Sequence, residues 1–589
     1  MAAENVGDSA ADKRHVYKTA ESLYKLGVAA VVNNYSTFKD EIRSLPASLL
    51  FDLYYKLYQD QTLCLLNLEF TDIDVFSTML KVSNKRLQLL RSFQALMDHS
   101  RRITKDLTAA YIRKCNSVQL DPSSRENVID LGLRLGNFLG DAGWYAESEK
   151  VLVTCRDICY MSDGSIYCIQ KLLECCHKLL HTQAAFYNFD GAEQTFQLAY
   201  SLVQELRKTD NTTNLAGLFT EFSVLYFSRS EYAEAYRWSI DALHQAACGV
   251  PVHVIVDVLR QVAKSCVVKR EFKKAGLLSR QSVYLAREVF GVKHPKYSDA
   301  LSDYAFFLLN FDLVRPSVDV FTMALKIRQE LFGENNLHVA IAHEDLAYAL
   351  YVHEYSSGRF GLAREHANIA IQIMQNILPE DHLMLASVKR VKALVLEEIA
   401  LDGLLSSSGM QELLAEAEEL HLSALKLSLA TFGEKNVQTA KHFGNLGRLY
   451  QSMKKFEEAE TMHLKAIAIK EELLGEDDYE VGLSIGHLAS LYNYHMKKYK
   501  KAEALYKRSI DISLKLFGES YSGLEYDYRG LVHVYHELKE VDKVADYTYL
   551  LNNWKLHRDI TSQTEYEPID TDGEVLSISD ITAQFFQPN

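Results

Sequence analysis

One pattern recurs about every 42 residues across residues 130–555: a helix that ends in an aromatic or aliphatic residue is followed by a second helix that opens with a small residue. The clearest first helix is Phe443–Tyr450. Its second helix places Ala459, His463 and Ala466 at i, i+4 and i+7, on one face. Small residues there allow two backbones to cross closely, so the pattern predicts a stack of helix pairs.

The small residue that opens each second helix sets the register of the repeat. Seven positions after it, nine of the ten copies again have Cys, Ala or Ser. The two longest intervals contain the Ser-rich segments 353–359 and 403–409, which predict loops. About ten helix pairs are expected from the ten opening residues, Ser148, Ala192, Ala235, Ala275, Ser317, Ala363, Ala417, Ala459, Ala502 and Val544.

Glycines are predicted to end several of the second helices, because glycine tolerates positive φ angles. The repeat resembles the tetratricopeptide motif, but 42 residues exceed its usual 34, so each second helix is expected to be about two turns longer. This length and His294-Pro295 before one first helix resemble the repeats of kinesin light chains. The glycines follow Phe or Leu at Gly291, Gly333, Gly433, Gly475 and Gly518.

Composition predicts an all-α chain with one continuous solenoid, because only 8 of the 589 residues are Pro and no break in composition precedes residue 556. After Arg558 the chain has no Lys or Arg, and from Glu565 onward it has six carboxylates, which is typical of a mobile acidic end. The predicted parts are a disordered N-terminus at 1–15, a helical module at 16–120, the solenoid at 129–555 and an acidic disordered tail at 559–589.

Charge and cysteine usage limit the function classes. A net charge of −14 argues against nonspecific nucleic-acid binding, which needs clustered cations. Nine cysteines without paired spacing indicate a reducing compartment. Residues 1–22 lack an apolar signal core, and no apolar run approaches the roughly 20 residues that span a bilayer. We therefore expect a soluble cytoplasmic protein, with nuclear or cytoskeletal association also compatible.

No catalytic constellation is found. The chain has no Gly-rich phosphate loop with Lys, no His-Glu-x-x-His and no Cys-x-x-Cys pair. Cys175, Cys176 and His177 with His181 could resemble metal ligands, because residues at i and i+4 such as His177 and His181 share a helix face. A second ligand pair is missing, so packing is the favoured interpretation. The sequence thus predicts a chain that is not an enzyme and needs no cofactor or metal.

A short box precedes the repeats. Ser22, Leu23, Gly27 and Val31 follow the order hydroxyl, Leu, three residues, small residue, three residues, aliphatic. Leu23 and Gly27 share one helical stripe, so Leu23 could enter a partner's pocket while Gly27 lets the backbones approach. This order resembles the elongin-binding box of cullin-ligase receptors.

A second box follows at residues 44–53. Leu45, Pro46, Leu49 and Leu53 match the pattern apolar-Pro-x-x-apolar-x-x-x-apolar, and proline suits the first turn of a helix. The pattern resembles the cullin-2 box. Either box alone also fits an ordinary amphipathic helix, whereas their order ahead of a peptide-binding solenoid favours the receptor interpretation.

Roughly residues 20–555 resemble the tetratricopeptide-repeat substrate receptors of cullin-2 ubiquitin ligases. The stretches that carry the resemblance are 43–46, 51–58, 93–99, 141–145, 266–275, 293–299 and 523–531. The resemblance implies a receptor that binds elongin C (with elongin B) and cullin-2 and recognises C-terminal degrons of the Arg-x-x-Gly type. It also implies association with the cytoplasmic tail of amyloid precursor protein and with microtubules. Ubiquitin transfer would be catalysed elsewhere in the complex.

The degron groove is expected on the first helices, at positions facing away from the packing stripe. Two consecutive repeats offer four carboxylates beside aromatic rings, which suits a guanidinium. Cations on neighbouring repeats, including Arg260 and Arg448, would attract the peptide carboxylate. The alternative interpretation of the acidic positions is a solvated face. The predicted degron-binding residues are Asp299, Asp303, Phe306, Glu344, Asp345, Tyr348, Tyr351 and Arg448.

Three function classes remain. A ligase receptor requires both N-terminal boxes to bind their partners. A kinesin-light-chain-like cargo adaptor, linking amyloid precursor protein tails to microtubule transport, requires only the groove and a motor or microtubule contact. An enzyme requires a constellation that the sequence lacks, so the receptor is the favoured prediction.

Overall fold

The computed structural model contains two compact units, which meet at Ile103 and Thr104. All regular secondary structure in the described residues is helical. The predicted disordered N-terminus at 1–15 lies outside the described residues. The structure describes residues 22–100, 102–117, 122–160, 166–208, 214–247, 249–355, 357–402, 406–564 and 569–587.

The N-terminal unit is a cluster of short helices around an aromatic core. Its largest buried rings, Phe51, Tyr54, Phe70, Phe76 and Phe93, are almost fully shielded from solvent. A 3₁₀ turn at Ser83–Lys85 precedes the last helix. The helices are α1 (Leu23–Asn33), α2 (Tyr35–Arg43), α3 (Ala47–Gln59), α4 (Leu63–Phe70), α5 (Ile73–Leu80) and α6 (Arg86–His99).

The second unit, here called the solenoid, opens with α7 (Ile103–Ser117) and continues as ten antiparallel helix pairs. The pairs are α8 (Pro122–Asp141) with α9 (Tyr145–Tyr160), α10 (Ile166–Ala185) with α11 (Phe189–Lys208), α12 (Ala216–Ser228) with α13 (Tyr232–Gln245), α14 (Val252–Val268) with α15 (Phe272–Phe290), α16 (Pro295–Asn310) with α17 (Val314–Phe332), α18 (Leu337–Glu354) with α19 (Gly361–Ile377), α20 (Met384–Leu401) with α21 (Ser407–Phe432), α22 (Val437–Ser452) with α23 (Phe456–Leu474), α24 (Tyr479–Ser490) with α25 (Tyr499–Phe517), and α26 (Leu524–Glu537) with α27 (Val541–Thr564).

The predicted register is confirmed. Nine of the ten opening residues, from Ser148 to Ala502, have no solvent exposure, and only Val544 in the last pair is partly exposed. The five glycines predicted to end second helices all have φ between 67° and 92°. The helix pairs are therefore placed by the two local signals that the sequence carries: small residues at the crossings and glycine at the ends.

The division between the units lies earlier than predicted. Helix α7 packs against α8, where the Tyr111 hydroxyl donates to the Val128 carbonyl oxygen at 3.2 Å. A Cβ at Gly132 would lie 2.1 Å from that hydroxyl, so glycine makes room for the ring. Residues 104–117 thus extend the solenoid rather than the N-terminal module. No described helix is both long enough and apolar enough to cross a membrane.

The ten pairs form two superhelical turns that touch each other. In pairs one to five the turn between the two helices closes with a residue of positive φ, for example Ser230 or Asp312. Each of these turns contacts the start of a first helix five pairs further along the chain. One superhelical turn therefore takes five pairs, and we call the line of contacts between successive turns the seam.

Two asparagines illustrate how the seam is held. Asn336 caps α18 by accepting from the His338 amide at 2.9 Å, and its Nδ2 donates to the Ala142 carbonyl oxygen at 2.8 Å. Asn436 caps α22 in the same way, and its Nδ2 donates to the Arg229 carbonyl oxygen at 3.0 Å. Each asparagine side chain thus caps a helix and also forms a hydrogen bond to a residue about 200 positions earlier in the sequence.

The other seam contacts are aromatic or ionic. The ring centres of Phe186 and His382 lie 4.3 Å apart. The Arg270 guanidinium lies 4.6 Å from the centre of the Tyr479 ring. At the fifth contact the Asp312 carboxylate accepts from the backbone amide of Ser522 at 2.9 Å. All five pairs of the first turn are therefore attached to the second.

The prediction of a disordered acidic tail is wrong for residues 569–587. Helix α27 runs on to Thr564, and α28 (Ile578–Phe586) packs against α15. Ile581 and Phe585 are each 1% exposed, because their apolar side chains cover the solenoid surface. Counting charges alone missed these apolar residues at helical spacing.

We expect Asn336→Asp together with Asn436→Asp to loosen the seam without removing either helix cap. Aspartate caps a helix as well as asparagine does, but it cannot donate to the Ala142 or Arg229 carbonyl oxygen and places a charge beside it. The free energy of unfolding should fall by about 1–3 kcal/mol per site, measured by urea unfolding. Hydrogen exchange should rise at the turns near Ala142 and Arg229.

The matched control is Ser406→Asp, a cap-preserving change at α21, where Ser406 accepts from the Gly409 amide. Its stability should stay within about 0.5 kcal/mol of the parent. Equal losses in the control and in the seam variants would contradict a stabilising role for the seam.

Candidate functional site

The first candidate surface is the free face of α1 in the N-terminal unit. Leu23, the first residue of α1, is 86% exposed, and a Cβ on Gly27 would meet nothing within 4 Å. Ser22 caps the helix by accepting from the Lys25 amide at 3.3 Å, and Val31 is half-buried. The four residues of the predicted elongin box thus form an open apolar edge.

The second box begins after a well-fixed turn. Arg43 donates to the buried Glu69 carboxylate at 2.8 Å, and the Tyr54 hydroxyl donates to the same carboxylate at 3.1 Å. Burial opposes the ionisation of Glu69, but the hydrogen bonds from Arg43 and Lys39 lower its pKa. This anchoring fixes where α2 ends and where Pro46, which is exposed, starts α3.

The remaining members of the second box differ in accessibility. Leu45 and Leu49 are half-buried, so part of each side chain is free for a partner. Leu53 is only 4% exposed and belongs to the core of the unit. Its prediction as a cullin-2 contact is therefore not supported, because a side chain buried in the core is not available to a partner.

The inner face of the solenoid is formed by the first helices, on the side away from their paired second helices. On α14 and α16 this face carries a dense ionic network. Arg260 donates to Asp303 at 2.7 Å and lies 3.7 Å from Asp299. Asp299 also pairs with Arg328 at 3.1 Å, and Lys264 lies 3.5 Å from Asp303. Both predicted degron carboxylates on α16 are thus already neutralised.

The pKa of Asp299 reflects the same ion pairs. Burial opposes the ionisation of Asp299, but Arg260 and Arg328 lower its pKa below the ordinary value. Removing one partner of such a network would leave an uncompensated charge, which is costly in a partly desolvated place. We therefore interpret Asp299 and Asp303 as residues that fix α14 to α16.

A second ionic network surrounds Arg448 on α22. Its guanidinium donates to Glu398 at 2.9 Å, to Glu397 at 3.3 Å and to the Tyr351 hydroxyl at 3.1 Å. Glu397 is 2% exposed, so this contact joins α20 firmly to α22. Arg448, predicted to attract a peptide carboxylate, and Tyr351 are therefore occupied by internal partners.

Between the two networks, α18 carries two carboxylates of a different kind. Within the described residues neither Glu344 nor Asp345 forms an ion pair, and both are half-buried on the inner face. Burial and the neighbouring Asp345 charge raise the pKa of Glu344 to about 7. Burial raises the pKa of Asp345 to about 6. A carboxylate pair with raised pKa values is a place where a cation would be stabilised.

Aromatic rings lie beside this carboxylate pair. Tyr348 stacks on Tyr351 with ring centres 6.2 Å apart, one turn further along α18. The Arg390 guanidinium lies 5.1 Å from the centre of the Tyr348 ring. A planar cation can be held at such rings and at a carboxylate simultaneously.

The remaining predicted residue, Phe306, lines a cavity of about 780 Å³ between the two superhelical turns. The cavity wall also includes Lys441 and Glu480, whose side chains form an ion pair at 3.0 Å. Arg229 and Asn436 of the seam also line this cavity. Phe306 is therefore in a different place from Glu344 and Asp345, although the sequence grouped them.

Sequence reasoning missed Arg390, Glu397 and Glu398 as inner-face residues. All three lie on α20. Glu398 follows Tyr351 by 47 residues, the same interval that separates the starts of α18 and α20 at Leu337 and Met384, so the repeat register could have identified Glu398. The charged networks themselves could not be found, because they depend on which side chains meet between neighbouring pairs.

Comparison with known proteins identifies tetratricopeptide repeats in this chain. A tetratricopeptide-repeat family model matches residues 409–472, and a second one matches residues 481–520. Amyloid protein-binding protein 2 of Mus musculus is 55% identical over 540 residues, which cover 92% of this chain and 92% of that protein. The protein of the same name from Rattus norvegicus matches to the same extent.

Solved structures with related folds include a Rap protein complexed with competence and sporulation factor. It is 12% identical, with a TM-score of 0.47, and the match covers 66% of this chain and 98% of that one. A repeat protein described as a putative kinesin light chain from Podosopora anserina is 18% identical, with a TM-score of 0.26 and coverage of 38% and 97%.

The raised pKa of Glu344 predicts that Glu344→Gln stabilises the fold at alkaline pH and not in acid. The folded state prefers the protonated carboxyl, so the parent loses stability as the pH rises from the unfolded value near 4.5 through about 7. Glutamine resembles the protonated form at every pH. The difference in melting temperature should be near zero at pH 5 and should favour the variant at pH 8.

Glu480→Gln is the control with the opposite sign. Burial opposes the ionisation of Glu480, but Lys441 and Lys470 lower its pKa, so this carboxylate stabilises the fold above its unfolded pKa. That variant should melt below the parent at pH 8. A Glu344 variant that behaves like the Glu480 variant would show that the attraction of Arg390 outweighs the effect of burial at Glu344.

Proposed function

Because the chain belongs to the amyloid protein-binding protein 2 family, we propose that it is the substrate-recognition subunit of a cullin-2, elongin B/C and RING ubiquitin ligase. The observation that carries this proposal is the exposed edge of α1, where Leu23 is 86% exposed beside the open space at Gly27. Leu23, Tyr24 and Leu26 are all exposed on α1, and a patch of neighbouring exposed apolar side chains marks an interaction surface.

Elongin C is the proposed partner of this edge. Ser22 fixes the start of the helix, and the Tyr24 hydroxyl donates to Asp52 at 2.7 Å, so α1 is held against α3. The edge is therefore preorganised before binding, which lowers the entropic cost of association. Leu23 would enter an apolar pocket of the partner, and Gly27 would allow close helix approach.

Cullin-2 is the proposed partner of the start of α3. Leu45, Pro46 and Leu49 retain accessible surface, and the Arg43–Glu69 ion pair holds the preceding turn. Leu53 would act indirectly, because it packs inside the unit and supports the helix that presents the other three.

The substrate would bind to the inner face of the solenoid. For a C-terminal Arg-x-x-Gly peptide, Glu344 and Asp345 are the carboxylates with capacity for the guanidinium, and Tyr348 offers a ring face. Asp299, Asp303, Tyr351 and Arg448 would shape the wall through their internal partners. Catalysis of ubiquitin transfer would lie in other subunits, and this chain would supply proximity.

A second candidate function is cargo adaptation, with the tail of amyloid precursor protein as the ligand. It is favoured by the name of the mammalian relatives, which describes binding to an amyloid protein. An adaptor would use the inner face in the same way but would not need the exposed Leu23. Loss of elongin binding on mutation of Leu23 therefore separates the two candidates.

We expect Leu23→Asp to abolish capture of elongin C while the chain stays folded. A charge placed in an apolar pocket costs several kcal/mol in the complex, whereas an exposed position costs little in the free protein. Affinity purification of the full-length variant from cells, followed by detection of elongin B, elongin C and cullin-2, measures this.

The paired variant for this experiment is Pro46→Ala with Leu49→Ala. It should retain elongin C and lose most of the cullin-2, since the two boxes occupy different helices. Unchanged elongin C capture by Leu23→Asp would reject the assignment of the first box, and the melting temperature of both variants shows that neither is unfolded.

For substrate selection, we expect Glu344→Gln with Asp345→Asn to weaken an Arg-x-x-Gly peptide at least tenfold, about 1.4 kcal/mol. In the parent, affinity should rise from pH 5.5 to pH 7.5 as the two carboxyls ionise, because the cation favours their charged forms. The double variant should lose this pH dependence. Fluorescence anisotropy with the labelled peptide measures both effects.

Two controls test whether the loss of affinity is specific to this carboxylate pair and to arginine in the peptide. Asp511→Asn changes an exposed carboxylate on α25 and should leave affinity within twofold. A peptide with Lys in place of Arg should bind more weakly to the parent, because an ammonium cannot make the forked planar contact. Full affinity in the double variant would move the cation site to another part of the inner face.

A further inference from the structure

The C-terminal segment 569–587 lies on the surface of α15, a second helix whose opposite side packs on α14 and α16. This position is separate from the inner face, which is built by first helices. Most side chains of the segment are exposed, and it is attached through a few specific contacts with α13 and α15. The nature of these contacts shows what the surface recognises.

The first contact consists of hydrogen bonds to the backbone of an extended part of the segment. The Gln281 side chain donates from Nε2 to the Glu574 carbonyl oxygen at 3.1 Å and accepts from the Leu576 amide at 2.9 Å. Gln281 is 6% exposed with the segment in place, so both hydrogen bonds are shielded from water. A side-chain amide that pairs with both backbone groups across one residue recognises extended peptide of any sequence.

The second contact consists of an ion pair and a close approach of an aromatic ring to a glycine. Arg287 pairs with Asp572 at 2.6 Å and also donates to the Thr571 carbonyl oxygen at 3.3 Å. A Cβ on Gly573 would lie 2.5 Å from the Tyr284 ring, so that ring excludes every larger residue at this position. The surface therefore accepts an acidic residue followed by glycine.

The third contact is apolar. Ile581 and Phe585, four residues apart on α28, are each 1% exposed, and Lys274 lies 5.0 Å from the centre of the Phe585 ring. Phe586 stacks on His244 of α13, with ring centres 4.6 Å apart and planes 7° apart. An aliphatic and an aromatic side chain at helical spacing are the anchors of this contact.

We propose that this surface is a second peptide-binding site, outside the inner face, and that residues 569–587 occupy it as a displaceable internal ligand. The external ligand is a segment of a partner protein with the same chemistry: an acidic residue and glycine in extended chain, then a helix with an aliphatic and an aromatic anchor four residues apart. The charge of Arg287 and the apolar surface around Lys274 and His244 match that ligand.

Displacement is feasible because much of the attachment is at the surface. The Asp572 side chain is 77% exposed, so its ion pair with Arg287 contributes little to stability. Only a short connection joins the end of α27 at Thr564 to the bound segment, which gives a high local concentration of the internal ligand. The internal segment would therefore outcompete ligands that bind weakly, and it would be displaced by ligands that bind tightly or are present at high concentration.

The test uses full-length chains and a labelled peptide of residues 569–587. A release variant, Ile581→Asp with Phe585→Asp, frees the site from its own segment. By fluorescence anisotropy the peptide should bind the release variant at least tenfold tighter than the parent, because the internal competitor is gone. Adding Gln281→Ala or Arg287→Glu to the release variant should reverse that gain.

Two altered peptides distinguish a built site from charge attraction. A peptide with Gly573→Val should bind at least tenfold more weakly, since the Tyr284 ring fills the space of a side chain. A scrambled peptide of equal charge should not bind. Equal binding of the parent and the release variant, or of the native and scrambled peptides, would overturn the proposal; melting temperatures confirm that each variant is folded.

Discussion

The close crossing of helices at small residues is the constraint on which the solenoid depends. Residues such as Ala235, Ala459 and Ala502 have no exposure, and each sits where a second helix crosses the first helix of its pair. A larger side chain there would push the axes apart and change the rotation from one pair to the next. That rotation brings pair six back above pair one, and so it determines both the seam and the inner face.

The seam makes this solenoid different from a simple stack, in which each repeat contacts only its neighbours. Contacts such as Asn336 to Ala142 and Asn436 to Arg229 join segments about 200 residues apart. The inner face is consequently enclosed on successive turns, and charged side chains on it are partly shielded from water. Shielding raises the pKa values of Glu344 and Asp345, whereas at Asp299 the neighbouring Arg260 and Arg328 outweigh the effect of burial and lower the pKa.

The local features were predictable from the sequence, and the long-range ones were not. Small residues at nine of the ten crossings predicted the number of helix pairs, and glycines such as Gly433 predicted where second helices end, because each acts within its own repeat. The Leu23 edge was also predictable, since an apolar stripe is visible in the sequence. By contrast, nothing near Asp303 signals that Arg260, 43 residues earlier, neutralises it. The attachment of the C-terminal segment was missed because its charge suggested disorder, whereas Ile581 and Phe585 decide its position.

The seam also has an evolutionary consequence. In most solenoids the number of repeats can grow or shrink by one, because a new repeat needs only to match its two neighbours. Here, loss or gain of one pair would bring each earlier turn of the first superhelical turn to the wrong helix start, so that, for example, the Phe186 ring would no longer face His382. Changes in length should therefore be confined to loops outside the seam, such as the loop around Gly358 between the two helices of the sixth pair, or to the two ends of the solenoid.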